Sequence, residues 1–149
     1  MDTKKDNNNF EICTRAIIQK DGKILVCRFK GKNCYFFPGG HVEFFEKAED
    51  ALKRELKEEL DMEINGCNFI GTVENTYEDE DDDFRRHEIN LVFSVAASGE
   101  VKDKSMEDNL EFFFLDRVSF IKEDILPLAL RDCIVKWIDD GKIFWGSQR

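Results

Sequence analysis

Among the 149 residues of this chain, the segment Arg54-Glu55-Leu56-Lys57-Glu58-Glu59 is the one best equipped for chemistry. Oxygen ligands at such density suit a hard divalent cation. The surrounding stretch Lys47 to Leu60 holds Ala, Leu, Glu and Lys with no Gly or Pro, and so predicts a helix. At about 100° per residue, Ala48, Ala51, Leu52, Leu56 and Leu60 fill one apolar face. Lys53, Arg54, Lys57 and Asp61 fall on the other side. Glu55 and Glu59 lie inside the apolar arc and Glu58 at its edge, the reverse of a solvated face. Like charges four residues apart repel by a few tenths of a kcal/mol even when exposed, and by more when partly buried. A bound cation removes that conflict; the competing reading is a Glu/Lys-rich helix with an imperfect face.

The flanking residues narrow the choice. Pro38-Gly39-Gly40 precedes the helix and lets backbone approach a ligand closely. Glu46 stands near the helix start, where a carboxylate suits the helix dipole. Arg54 and Glu46 can equally form a salt bridge that braces the loop against the helix. Arg15, Arg28 and Arg85 are candidate phosphate contacts, since guanidinium groups bind such oxygens in pairs, with surface ion pairing as the alternative. Tyr35, Phe36 and Tyr77 could stack on a base, although aromatic residues in strands usually fill cores. His41 and His87 have no Ser or Cys partner at a recognisable spacing, which argues against a covalent mechanism.

The elements that must position these groups follow from pattern. Phe10 to Gln19 reads as a strand, Lys20-Asp21-Gly22 as a turn and Lys23 to Phe29 as the returning strand. Cys34 to Phe37 is short and β-prone, and Pro38-Gly39-Gly40 breaks regular structure. Residues 68–77 and His87 to Ala97 predict a strand pair, joined by an acidic loop from Glu78 to Asp83. Leu110 to Leu115 predicts a further strand. Pro127 to Asp139 predicts an amphipathic helix with Pro127 in its first turn. Strands, a helix, more strands and a final helix give a mixed α/β (α+β) order rather than a doubly wound sheet.

Composition sets the outer limits. The length suits one domain, expected over residues 10–149, with residues 1–9 as a mobile polar tail. No apolar run reaches the roughly 18–20 residues that span a bilayer, and the first residues lack a signal-peptide core, so a cytoplasmic location with no membrane partner is expected. The net charge of −10 disfavours broad attachment to nucleic acid. It also means that a cation or local Arg and Lys must supply the positive charge a phosphate substrate needs. Cys13, Cys27, Cys34, Cys67 and Cys133 are odd in number and form no CxxC pair, so buried free thiols are expected.

Residues 40–62 resemble the Nudix hydrolase box, G-x5-E-x7-R-E-U-x-E-E-x-G-U, where U is bulky and apolar. Gly40, Glu46, Arg54, Glu55, Leu56, Glu58, Glu59 and Met62 occupy its fixed positions. Asp61 stands where the box has glycine, and Phe45 where many members carry a small residue. The rest of the chain from about residue 10 agrees with the family in strand order and length.

The resemblance, to the MutT-like size class of the family, implies an α/β/α sandwich with a mixed central sheet. It implies water attack on phosphorus in a nucleoside diphosphate linked to another moiety: a nucleoside triphosphate, ADP-ribose or another sugar nucleotide, or a dinucleoside polyphosphate. It implies Mg²⁺ or Mn²⁺ on Glu55, Glu58 and Glu59, with the Gly39 carbonyl, and Arg54 and Glu46 in the same machinery. Gly39 and Gly40, with Arg28, Arg15 and Arg85, would meet the substrate. A carboxylate from outside the box is expected to join the metal site, Glu107 first and Glu88 second. Glu55 or that outside acid would take the proton of water. A homodimer is common in the family, and Ile143-Phe144-Trp145 would be core, or interface if exposed. The alternative is a catalytically silent module of the same fold that senses a nucleotide or binds a protein.

Overall fold

The computed structural model describes residues 8–79, 81, 84–97 and 105–149. Among these the order is β1 (Asn8–Ile17), β2 (Gln19–Lys20), β3 (Lys23–Phe29), β4 (Gly39–His41), α1 (Ala48–Leu60), β5 (Ile64–Asp79), β6 (Phe84–Ala97), β7 (Leu110–Leu115), α2 (Arg117–Lys122), α3 (Leu128–Asp140) and β8 (Phe144–Gln148). The tail expected over residues 1–9 lies outside the described residues up to residue 7, while Asn8 and Asn9 open β1. Of the acidic loop, residues 80, 82 and 83 also lie outside.

The larger sheet runs β4-β1-β6-β5-β8 and the smaller β2-β3-β7. In the larger one β1 lies parallel to β6 and β5 parallel to β8, whereas β4–β1 and β5–β6 are antiparallel. The central sheet is therefore mixed, as expected. Its two faces follow from the alternation of side chains. One face packs Ala16, Phe93 and Val95 into one cluster with Leu52, Leu56 and Leu60 of α1 and with Leu25, Cys27, Leu110 and Phe112 of the smaller sheet. The other sends Ile17, Val73 and Val92 to Leu130 and Ile134 of α3 and Phe120 of α2. This is the α/β/α sandwich. Burying each α1 leucine contributes about 1.5–3 kcal/mol, enough to fix which side of α1 looks inward.

Four local expectations need correction. The short strand at Cys34 to Phe37 reduces to isolated bridges, Cys27 to Phe36 and Tyr35 to Ile125. Pro38-Gly39-Gly40 does not end regular structure, because Gly39–His41 pairs with Cys13 to Arg15 of β1. The strand at 68–77 is the middle of a longer β5 interrupted by two register shifts. Pro127 is the N-cap of α3 rather than part of its first turn. Two elements, α2 and β8, had no counterpart in the sequence reading.

Candidate active site

α1 delivers the carboxylates. Its first turn carries Glu49 and Asp50, which suit the positive end of the helix dipole. At its other end Asp61 adopts the left-handed conformation, φ 51°; its amide donates to the Lys57 carbonyl at 3.0 Å and the Met62 amide to that of Leu56 at 3.3 Å. Asp61 thus makes the helix stop that glycine makes in the box, at a backbone cost that glycine would not incur.

The three glutamates differ in burial along the helix. Glu59 is buried, the Glu55 side chain is 17% exposed and that of Glu58 53% exposed. Glu59 Oε2 is buried with no hydrogen-bond partner. An unpaired carboxylate oxygen in the interior is costly unless the group is protonated or meets a cation. Accordingly burial, followed by repulsion from Glu55, pushes the Glu59 carboxyl up to about 8, against the pull of Arg15 and a hydrogen bond from the Gly39 backbone.

Gly40 and Gly39 form the floor. A Cβ on Gly40 would stand 2.5–2.8 Å from the carboxyl atoms of Glu55. A Cβ on Gly39, where φ is +135°, would stand 2.0 Å from the Thr14 carbonyl oxygen. The two glycines let β4 lie against β1 on one side and the Glu55 carboxylate on the other.

Arg54 ties loop to helix. Its Nε and Nη2 donate to the two oxygens of Glu46 at 2.8 and 3.0 Å, Nη2 also reaches the His41 carbonyl at 3.0 Å, and Nη1 donates to Glu55 at 2.9 Å. Glu46 in turn accepts the Glu43 amide. Those bonds, Arg54 first, pull the Glu46 carboxyl down to about 2. Arg54 and Glu46 therefore orient Glu55 and the glycine strand together.

The residues outside the box fall into separate places. Glu107 precedes β7, contributes to the raised proton affinity of Glu59, and follows Met106, whose amide donates to the Glu59 carbonyl at 2.8 Å. It also lines a groove of about 370 Å³ with Lys30, Asp108 and Glu111. Glu88 lies on β6 and accepts the Tyr77 hydroxyl at 3.1 Å. Arg15 donates to Asn90 and to the Phe37 carbonyl, and acts electrostatically on Glu59. Arg28 pairs with Glu111 at 3.1 Å and packs over the Phe113 ring at 4.7 Å. Arg85 is exposed beside Glu78 and lines a groove of about 990 Å³ with Phe10, Tyr77, His87 and Gln148. None of the box glutamates lines that groove. Tyr35 is buried, Phe36 packs against the α1 core and Tyr77 is 40% exposed. His87 pairs with Glu74, and His41 with Glu11, a residue the sequence reading passed over. Thr14 and Asn90 were also missed; both are buried polar residues whose roles depend on strand register.

In Ile143-Phe144-Trp145, Phe144 packs over Gly71, while Ile143 and Trp145 are 71% and 63% exposed. Among the described residues no helix is long and apolar enough to cross a membrane.

Residues 12–132 match the NUDIX domain family. An ADP-ribose pyrophosphatase of Methanocaldococcus jannaschii is 34% identical over 127 residues, covering 80% of this chain and 73% of that protein. An 8-oxo-dGTP diphosphatase of Proteus vulgaris is 30% identical over 78 residues, 50% of this chain and 70% of that one. The crystal structure of a MutT protein from Methanosarcina mazei superposes with a TM-score of 0.71 at 20% identity, over 91% of this chain and 97% of that one, a likeness of fold. An inward-facing acidic helix beside a Gly-Gly strand, inside a match that spans most of the sequence, has one consistent reading: the chain belongs to the NUDIX family of hydrolases, which cleave pyrophosphate linkages and generally use divalent metal ions.

Proposed function

We propose that this protein hydrolyses the diphosphate bond of a nucleoside diphosphate joined to another moiety, with ADP-ribose as the first substrate to try. The observation that carries the reading is the buried, unpartnered Glu59 Oε2 beside Glu55, next to a strand where backbone and φ require glycine at position 39 and where the Glu55 carboxylate fills the space beside Gly40. The choice of ADP-ribose rests on the relative of that name, which matches 80% of this chain.

The donor set fits Mg²⁺ or Mn²⁺: carboxylates of Glu55, Glu58 and Glu59, the Gly39 carbonyl, and Glu107 as the outside acid. When bound, such an ion polarises phosphate oxygens and lowers the proton affinity of a coordinated water. The protein's own residues do the rest. Arg54 fixes Glu55, and Glu46 fixes Arg54. Gly39 and Gly40 let the diphosphate approach the backbone. Glu55 or the outside acid Glu107 takes the proton of the attacking water. Water adds across the P–O–P bridge, so that ADP-ribose gives AMP and ribose 5-phosphate.

Product analysis by mass spectrometry tests this. The protein is incubated with ADP-ribose, nucleoside triphosphates and dinucleoside polyphosphates in Mg²⁺, beside Glu59→Gln. A monophosphate from the wild type alone supports the proposal and names the substrate class. A nucleotide that raises the melting temperature yet is never cut would instead make the chain a sensor.

A further inference from the structure

The pairing of β1 with β4 does more than place the glycines. It sets Cys13 opposite His41, and Glu11 lies two residues along on the same face of β1. The His41 Nε2 stands 2.9 Å from Glu11 Oε2. One ligand atom from each of Glu11, Cys13 and His41 lies within 4.8 Å of the other two. Gly40, between Gly39 and His41, faces Glu55 of α1, so this trio occupies the opposite face of the β1–β4 pair from the box glutamates.

We propose that Glu11, Cys13 and His41 form a second cation site, for a borderline metal of the zinc and cobalt(II) class. One thiolate, one imidazole and one carboxylate is a zinc-type donor set, whereas magnesium prefers oxygen alone. The edges of a tetrahedral site measure about 3.3–3.8 Å, given bond lengths of about 2.0–2.3 Å. Contraction of the trio by about an ångström, within reach of side-chain rotation, closes it. Its surroundings are those of a metal ligand shell. Arg86 holds the other Glu11 oxygen at 3.1 Å and so aims Oε2 at His41. Burial, reinforced by Glu88 and Glu11, pushes the Cys13 thiol up to about 11 despite the nearby Arg15, so metal binding has to displace its proton. Glu88, opposite Glu11 on β6, lies across β1 from His41 and accepts the Tyr77 hydroxyl, so the trio would leave the fourth position to water. Thiolate and carboxylate together balance the charge of a divalent ion. A metal here clamps β4 to β1, and with it the strand that carries Gly39 and Gly40.

Cobalt(II) absorption provides the test, on full-length protein carrying Glu55→Gln and Glu59→Gln so that the box cannot bind. The expected result is about one equivalent of Co²⁺ bound, with a thiolate charge-transfer band in the near ultraviolet that Zn²⁺ removes. Cys13→Ser abolishes the band, and His41→Ala or Glu11→Gln weakens binding by at least about tenfold. Cys67→Ser, on β5, leaves the band in place and controls for other thiols. Absence of the band in the box-silent protein, or its survival in Cys13→Ser, overturns the proposal. Because the box is already silent, neither result bears on the hydrolase reading.

Discussion

The space beside Gly40 is filled by the carboxylate of Glu55: a single added Cβ would meet Glu55 Cδ, Oε1 and Oε2 at 2.5, 2.6 and 2.8 Å. The missing side chain of one residue is thus the seat of another's charge. The obstacle is the far end of a flexible side chain, so Gly40→Ala displaces Glu55 rather than the backbone. We expect a melting temperature within a few degrees of wild type and kcat reduced by about 10²-fold, the usual result of an ångström-scale misplacement. Gly39→Ala meets the Thr14 carbonyl oxygen at 2.0 Å at a φ of +135°, and nothing there can swing aside. It should cost about 2–4 kcal/mol of stability, read by urea denaturation.

The Arg54–Glu46 fork predicts an acid-limb signature. Glu46 is held at about 2 against an ordinary 4.5 by its bonds to Arg54 and the Glu43 amide. A depressed carboxyl stabilises the fold above its unfolded value and loses that contribution as pH falls through its folded value. Acid unfolding of Glu46→Gln should therefore be shallower than wild type between pH 4.5 and 2, with little difference in the shape of the curve above pH 5. Arg54→Ala should flatten the same window and also lower kcat, since it releases Glu55.

Glu59 predicts the opposite sign. Its carboxyl rises from 4.5 to about 8, because burial and Glu55 disfavour its charge. In chelator-treated protein the unfolded state loses this proton first, so stability falls as pH climbs from 4.5 toward 8. Glu59→Gln removes that slope. Melting curves in EDTA should therefore show the variant gaining on wild type as pH rises. Mg²⁺ should restore the wild type at high pH and leave Glu59→Gln nearly unchanged.

Two residues occupy left-handed backbone without being glycine near the helix ends, Phe45 at φ 65° and Asp61 at φ 51°. Phe45 is 96% exposed, so its side chain returns little packing for the strain. Phe45→Gly should raise stability by about 1 kcal/mol. Asp61→Gly should gain less, because it also forfeits the exposed pair with Lys57. Chemical denaturation checks both.

How far the sequence could be read depended on the range of the interactions involved. α1 and the burial of its glutamates were legible because helical periodicity is local: Leu52, Leu56 and Glu59 are buried where the wheel puts them. β4 was not, because Gly39 and Gly40 have no strand propensity and become a strand only through β1. β8 was not, because Phe144–Gln148 is a short parallel strand whose partner lies some seventy residues earlier. α2 spans only Arg117–Lys122 and is capped by the Asp116 side chain, a signal too brief for periodicity. The meeting of Glu11, Cys13 and His41 depends on strand register, which no single segment encodes.

On the function proposed above, the α1 carboxylates make this protein a metal-dependent diphosphate hydrolase. The most direct measurement is steady-state turnover of ADP-ribose, with added Mg²⁺ and with chelator, for wild type, Glu58→Gln and Glu59→Gln at equal concentrations of folded protein. Wild type should form AMP only when the metal is present, and kcat should be lower by at least about 10²–10³-fold in both variants. Normal turnover by either variant, or by wild type in chelator, would contradict it.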